Sequence, residues 1–139
     1  RQIEAACGRH ADVATDGLTL TPGHIVIAPG DGHIVVRRSV TGLVIRISGE
    51  AAVSGCLPSV DPMLASLAQA CEGRALAVIL SGMGRDGALG AAALVDAGGV
   101  ILAQDADSSA VWGMPGAVAR AGLASMVAPP AELGDAVAH

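Results

Sequence analysis

The sequence predicts an α/β fold: a parallel β-α-β unit with an antiparallel β-hairpin attached to it. Three observations carry that expectation. Over residues 75–92 (ALAVILSGMGRDGALGAA) an apolar run ends in a glycine-rich turn and opens at once into a small-residue helix, the usual way such folds place chemistry at a strand end. Residues 33–38 and 42–47 alternate apolar and polar side chains, as strands with one dry and one wet face do. Finally, 52% of the residues are hydrophobic although the chain has no Phe or Tyr and one Trp. The core must then be Ala, Val, Leu and Ile, which suits parallel strands covered by helices.

Taken in order, residues 1–9 set Ile3, Ala6 and Cys7 on one helical face, with Gly8 to end it. This reads as the tail of a longer element, and an upstream portion is expected because the chain opens without Met. His10 reads as a solvated residue beyond that helix, where positive charge is welcome. After residues 12–20, Thr21-Pro22-Gly23 is a turn, residues 24–28 (HIVIA) a buried strand and Pro29-Gly30-Asp31-Gly32 a stronger turn. Ser39-Val40-Thr41-Gly42 closes the hairpin. His24 and His33 flank the PGDG turn without a third ligand at metal spacing, so they are expected to bond loop backbone. Arg37 and Arg38 are expected to be solvated strand ends.

Residues 48–58 form a loop, with Cys56 expected as a small buried residue because no base adjoins it. Ser59 or Asp61 caps a helix with Pro62 in its first turn, running to about Cys71 and marked by Leu64, Leu67 and Ala68. The central run follows, then a helix over residues 88–97 stopped by Gly98-Gly99 and a strand over 100–104, which closes a right-handed parallel unit. Residues 111–116 make a tight turn before a short helix ending at Gly122. Residues 125–127 are a last strand, and Pro130 opens a terminal helix to Ala138.

Thirteen acidic residues against eight arginines and no lysine give a net charge of −5. That leaves no basic stripe for nucleic acid or anionic lipid. Cys7, Cys56 and Cys71 are odd in number and lack CxxC or Cys/His spacing, so neither a disulfide framework nor a zinc site is indicated and the reducing cytoplasm fits. No 18-residue apolar stretch exists to insert in a membrane.

Gly82-Met83-Gly84-Arg85-Asp86-Gly87 matches G-x-G-x-x-G after a strand and before a helix, with Asp105 ending the next strand. That is the dinucleotide-binding context, though a chain with 19 glycines meets the pattern easily by chance. Against it, Asp86 would set a like charge beside the pyrophosphate at the helix N-terminus. A carboxylate there instead gains from the helix dipole and can orient an imidazole, or it is simply an N-cap. On the residues alone, catalytic orienter, cap and nucleotide loop all stay open.

The segments PGHIVIAPGDGHI, PSVDPML, AVILSGMGRDGALG, AGGVILAQD and WGMPGAVARAG, in this order and spacing, resemble the C-terminal two thirds of the catalytic domain of the chemotaxis protein-glutamate methylesterases (CheB). The likeness covers residues 16–127. It implies a doubly wound, mainly parallel sheet with helices on both faces, and a cofactor-free serine hydrolase that removes methyl groups from glutamyl esters of chemoreceptors. Asp86 stands where the family has the aspartate of its Ser-His-Asp triad. Met83 matches a methionine beside the oxyanion, where a backbone N–H would contribute. Ser59 and Asp61 match a segment near the substrate, and Met114 and Pro115 a loop close to it.

The family's nucleophile lies in a G-x-S-x-G-G turn after the first strand and its histidine in a Q-H-M-type segment after the second. Neither occurs in this sequence. His24, His33, Ser59 and Ser81 each match other family positions and are expected in structural roles. The resemblance thus implies a sheet without its first strands, inactive alone, with an open edge through which two copies could pair. Gly55, Cys56 and Leu57 stand where the family usually has a histidine and an arginine, which leaves a catalytically dead interaction module as the alternative. Family members often carry an N-terminal receiver domain, of which these residues show nothing.

Overall fold

A computed structural model describes residues 8–9 and 11–138. The expected opening helix and His10 fall on residues outside the described ones. The chain forms β1 (Ala11–Val13), β2 (Ile25–Ile27), a hairpin of β3 (His33–Ser39) and β4 (Gly42–Ser48), and helix α1 (Val60–Ala70). Then follow β5 (Leu76–Ile79), α2 (Ala88–Asp96), β6 (Val100–Gln104), α3 (Met114–Arg120), β7 (Met126–Ala128) and α4 (Pro130–Ala138).

β5, β6 and β7 form a parallel sheet in that order. Its strands alternate between two covered faces, which is the doubly wound arrangement. Ala77, Ile79, Ile101 and Ala103 point to a core shared with Leu64 and Ala68 of α1, Ala91 and Leu94 of α2, and Val118 of α3. Leu102 and Ala128 point the other way, onto Leu133 of α4. Fully burying one such leucine is worth about 1.5–3 kcal/mol, so these few aliphatics replace the missing aromatics.

The hairpin is antiparallel as expected, closed tightly between Ser39 and Gly42. Its dry face, Ile34, Val36 and Ile45, packs with Ala14, Ala70 and the underside of α1, where Met63 and Leu67 touch both cores. Helix α1 is therefore the wall between hairpin and sheet. β1 pairs in parallel with β2, Ala11 opposite Ile25. The sequence offers no signal for β1: three residues of mixed polarity carry no periodicity, and pairing alone makes them a strand.

Other local expectations are corrected. Arg38 is no mere solvated end, since its Nε donates to the Ala70 carbonyl at 2.9 Å and so caps the C-terminus of α1. His24 bonds a carboxylate, Asp12 Oδ2 at 2.8 Å, where loop backbone was expected. Cys56 is exposed, because the loop holding it projects away from both cores. Among the described residues the outer edge of β5 pairs with no strand, and Leu76, Val78 and Leu80 are exposed along it.

Helices α1 and α2 touch closely because Gly90 has no side chain. A Cβ there would lie 2.7 Å from Leu64 Cβ and 2.8 Å from the Asp61 carbonyl oxygen. Gly134 in α4 faces open space instead. Gly90→Ala is therefore expected to lower stability by about 1–3 kcal/mol through overpacking, whereas Gly134→Ala should raise it by roughly 0.5–1 kcal/mol. Urea unfolding of both variants checks the pair, and equal effects would contradict the close approach.

Candidate active site

The turn after β5 carries the carboxylate singled out in the sequence. Asp86 is buried, 4% exposed, yet it does not cap the helix that follows it. Gly87 is the N-cap of α2, held at φ 100° with no side-chain cap, a left-handed conformation that suits glycine. The Asp86 carboxylate turns instead to the N-terminus of α1. Ser59 Oγ donates to its Oδ1 at 2.6 Å and the Val60 amide donates to its Oδ2 at 2.8 Å. Ser59 is the N-cap of α1, as one of the two expected caps, and its Oγ also accepts the Asp61 amide.

The favour is returned from α1. Asp61 Oδ1 accepts the amides of Gly87 at 3.0 Å and Gly90 at 2.8 Å, the donors that α2 leaves unpaired at its start. The two helices thus exchange aspartates, each capping the other. This decides against the nucleotide reading of the glycine motif. The Gly87 and Gly90 amides at the start of α2 are occupied by Asp61, Ala88 N–H bonds the Arg85 carbonyl, and the Asp61 carboxylate stands where the anion would sit. Asp105 is engaged locally, accepting from the Ser108 amide and hydroxyl.

The two aspartates are pushed apart electrostatically. Burial alone would raise Asp86, but hydrogen bonds from Ser59, the Val60 amide, Ser54 and the Asp61 amide outweigh it and hold the carboxyl below the ordinary range. For Asp61 burial prevails, against the Gly90 and Gly87 amides and reinforced by the charge of Asp86, so its pKa is raised. Asp86 is the group kept ionised.

Met83 lies in the turn and is 79% exposed. The turn is clamped from behind by the segment before α3: the Gly82 amide donates to the Val111 carbonyl, and the Gly82 carbonyl accepts from Gly113 and Met114. Ser81 Oγ joins both sides through Val111, and its amide donates to the Gln104 side chain. Gly113 fits because a Cβ there would stand 2.7 Å from the backbone of Gly84. Met114 packs against Gly82, and Pro115 is fully buried. Of the residues singled out in the sequence, Ser59, Asp61 and Asp86 come together directly. Met114 reaches the turn at Gly82, and Pro115 is buried beside it in the first turn of α3.

In front of Asp86 opens a cavity of about 470 Å³, lined by Ser54, Cys56, Asp61, Arg85, Asp86 and Leu89 among others. Ser54 and Cys56 belong to a loop that no motif marks. His33, 2% exposed, is a further missed participant: its Nδ1 accepts the Ser59 amide at 2.8 Å and its Nε2 donates to the Glu50 carbonyl at 2.7 Å. It bonds loop backbone as expected, but nothing in the sequence signals that the loop in question leads to Asp86. Among the described residues no group of three or more His, Cys, Asp and Glu could hold a metal ion, and no helix is long and apolar enough to cross a membrane.

Comparison with known proteins gives a consistent result. The family model described as CheB methylesterase matches residues 1–137. A protein-glutamate methylesterase/protein-glutamine glutaminase of Azospirillum brasilense is 47% identical over 133 residues, 95% of this chain and 34% of that protein. A counterpart in Paramagnetospirillum magneticum is 48% identical over 131 residues, 94% of this chain and 34% of that protein. The chain spans about a third of the length of these curated relatives. The crystal structure of the Thermotoga maritima CheB methylesterase catalytic domain superposes with a TM-score of 0.80 at 34% identity, covering 84% of this chain and 61% of that one.

The exchanged aspartates differ in what a neutral isostere should do. Asp86→Asn turns an amide group toward donors and is expected to cost about 2 kcal/mol at neutral pH. Asp61→Asn keeps its accepting oxygen and should stay within about 0.5 kcal/mol of the parent. Because the Asp86 pKa is lowered, its stabilisation is present above the ordinary value of 3.8 and lost as pH falls through the folded value, so the Asp86→Asn deficit shrinks there. Because the Asp61 pKa is raised, its ionised form weakens the fold at neutral pH, and that penalty fades as pH falls through the raised value toward 3.8. Any advantage of Asp61→Asn fades with it. Denaturant unfolding across pH reads both signs, and identical profiles for the two variants would refute the assignment.

Proposed function

The chain belongs to the CheB methylesterase family, and on that footing we propose that it supplies the aspartate and the oxyanion turn of a Ser-His-Asp hydrolase that demethylates glutamyl esters on chemoreceptors. The observation that carries this reading is the state of Asp86: buried, ionised, fixed through both oxygens, and open to a cavity at the end of a parallel strand. A carboxylate so held can keep an imidazole in the tautomer with Nδ1–H toward the acid and stabilise the imidazolium formed as serine attacks.

The serine and the histidine come from outside these 139 residues, which contain neither family segment. With them in place, the imidazole takes the serine proton as its oxygen attacks the ester carbonyl carbon. The tetrahedral intermediate puts negative charge on the former carbonyl oxygen. The Met83 amide, for which no hydrogen-bond partner is seen among the described residues, is the donor proposed for it. The imidazolium then protonates the departing methoxide, which leaves as methanol, and water hydrolyses the acyl-enzyme by the same route. Glutamine side chains present the same acyl carbon with ammonia as leaving group, in line with the second activity in the relatives' names.

Ser59 and Asp61 serve this site by holding Asp86 and the start of α2, and Met114 and Pro115 by backing the turn; direct substrate contact falls to the cavity wall of Ser54, Cys56 and Arg85. Methanol release from a methylated receptor fragment tests the reading. The native protein should turn over, and Asp86→Asn should cut kcat roughly ten-thousand-fold, as a wrong imidazole tautomer does. The isolated 139-residue chain should release none. Turnover by the isolated chain, or an Asp86→Asn variant of normal kcat, would overturn the proposal.

A further inference from the structure

We propose that His33 and Ser59 are positioning residues for Asp86, acting in series: the buried imidazole fixes Ser59 by its backbone, and Ser59 fixes the carboxylate by its hydroxyl. The inference rests on the reading of Asp86 as the triad aspartate.

The chain of bonds starts at the first residue of β3. The His33 ring is buried and both its nitrogens are engaged, Nδ1 accepting the Ser59 amide and Nε2 donating to the Glu50 carbonyl. Only the neutral ring with its proton on Nε2 satisfies both partners. Glu50 and Ser59 bracket the loop that supplies Ser54 and Cys56 to the cavity, so one side chain ties both ends of the cavity wall. Ser59 is the link onward. Its amide lies outside the helical ladder and would be orphaned without His33, and its Oγ sits 2.6 Å from Asp86 Oδ1.

The hydroxyl of Ser59 is further constrained by neighbours on either side, accepting the Asp61 amide at 3.3 Å and standing 3.3 Å from Ser54 Oγ. Its position is thus set by backbone, and a shift of Ser59 moves the donor on Asp86 with it. The charged neighbours of this series are Asp61, whose own oxygen is held by the Gly87 and Gly90 amides, Arg85 beside Asp86 in the cavity wall, and Arg37, Arg46 and Glu50 around the pocket that His33 lines. A triad aspartate must offer its partner imidazole one lone pair in one direction. The series His33, Ser59, Asp86 supplies that constraint through two residues that do not themselves line the cavity.

The test follows the Asp86 carboxyl 13C signal against pH in this chain, and kcat and KM in the native protein. Ser59→Ala should raise the Asp86 pKa by about one unit, and Ser59→Thr should restore it. His33→Leu, although it removes no group that touches Asp86, should shift the same pKa upward, with no added shift in the Ser59→Ala background. His33→Gln, a neutral side chain with both an acceptor and a donor, should return it toward the parent value. In the native protein Ser59→Ala and His33→Leu should lower kcat about tenfold at unchanged KM and move the acid limb of the pH profile up.

A His33→Leu protein that is less stable yet titrates Asp86 at the parent value would overturn the series, as would additive shifts in the double variant. Should His33→Leu not fold, His33→Gln and Ser59→Ala carry the test: an Asp86 pKa left at the parent value by Ser59→Ala would refute the relay. Loss of activity in Asp86→Asn together with full kcat in both Ser59→Ala and His33→Leu would refute positioning while leaving the triad aspartate intact. Full kcat in Asp86→Asn would fell the parent reading, and the proposal with it.

Discussion

Two buried aspartates, each lent to the other's helix, hold this structure together where it matters. Helix N-termini leave their first amides unpaired, and a carboxylate near them is favoured by both hydrogen bonding and the helix dipole. Here Asp86 serves α1 and Asp61 serves α2. The exchange requires the helices to meet at their starts, which Gly90 allows by presenting no side chain to Leu64. It also requires the β5–α2 turn to deliver Asp86 sideways, which the left-handed Gly87 makes possible. Sheet, turn and helix pair are one geometric solution.

The glycines of the turn look like a phosphate loop because the spacing is shared, but the reasons for them differ. Gly82 makes room for Met114, and Gly113 from the neighbouring segment makes room for the backbone of Gly84. A nucleotide loop needs glycine so that its own amides can approach a ligand. This turn needs glycine so that a second loop can approach its back, while the amides of the helix are spent on a carboxylate. A pattern of small residues alone cannot separate the two cases; the presence of Asp86 within the turn can, since an anion site would not hold it.

What could be read in the sequence was whatever is local. The run at residues 75–92, the alternation in the hairpin and the Ser59 cap each depend on neighbours within a few positions, and each was legible. What stayed hidden depends on partners far along the chain. Arg38 caps a carbonyl 32 residues away, His33 meets Ser59 across 26, and Asp61 meets Gly90 across 29. β1 exists only through its pairing with β2. Cys56 misled for a related reason, because residue type argues for burial while the loop that carries it lies outside both cores. The candidate site was half legible: Asp86 announced itself by motif and Ser59 as a cap, and the bonds that join them to each other and to His33 did not.

A buried ionised carboxylate is costly unless its oxygens are bonded, and helix N-termini are the strongest neutral donors a small domain possesses. An aspartate placed there has its hold on the fold and its orientation toward the cavity set by the same bonds, so at Asp86 the two cannot be altered separately. Asp61 differs. It meets the same need for α2 with a raised pKa and an oxygen that a neutral amide could replace. Charge is thus required at one member of the pair and only tolerated at the other. Ionisation, more than burial or distance, marks Asp86 as the member suited to steady an imidazolium.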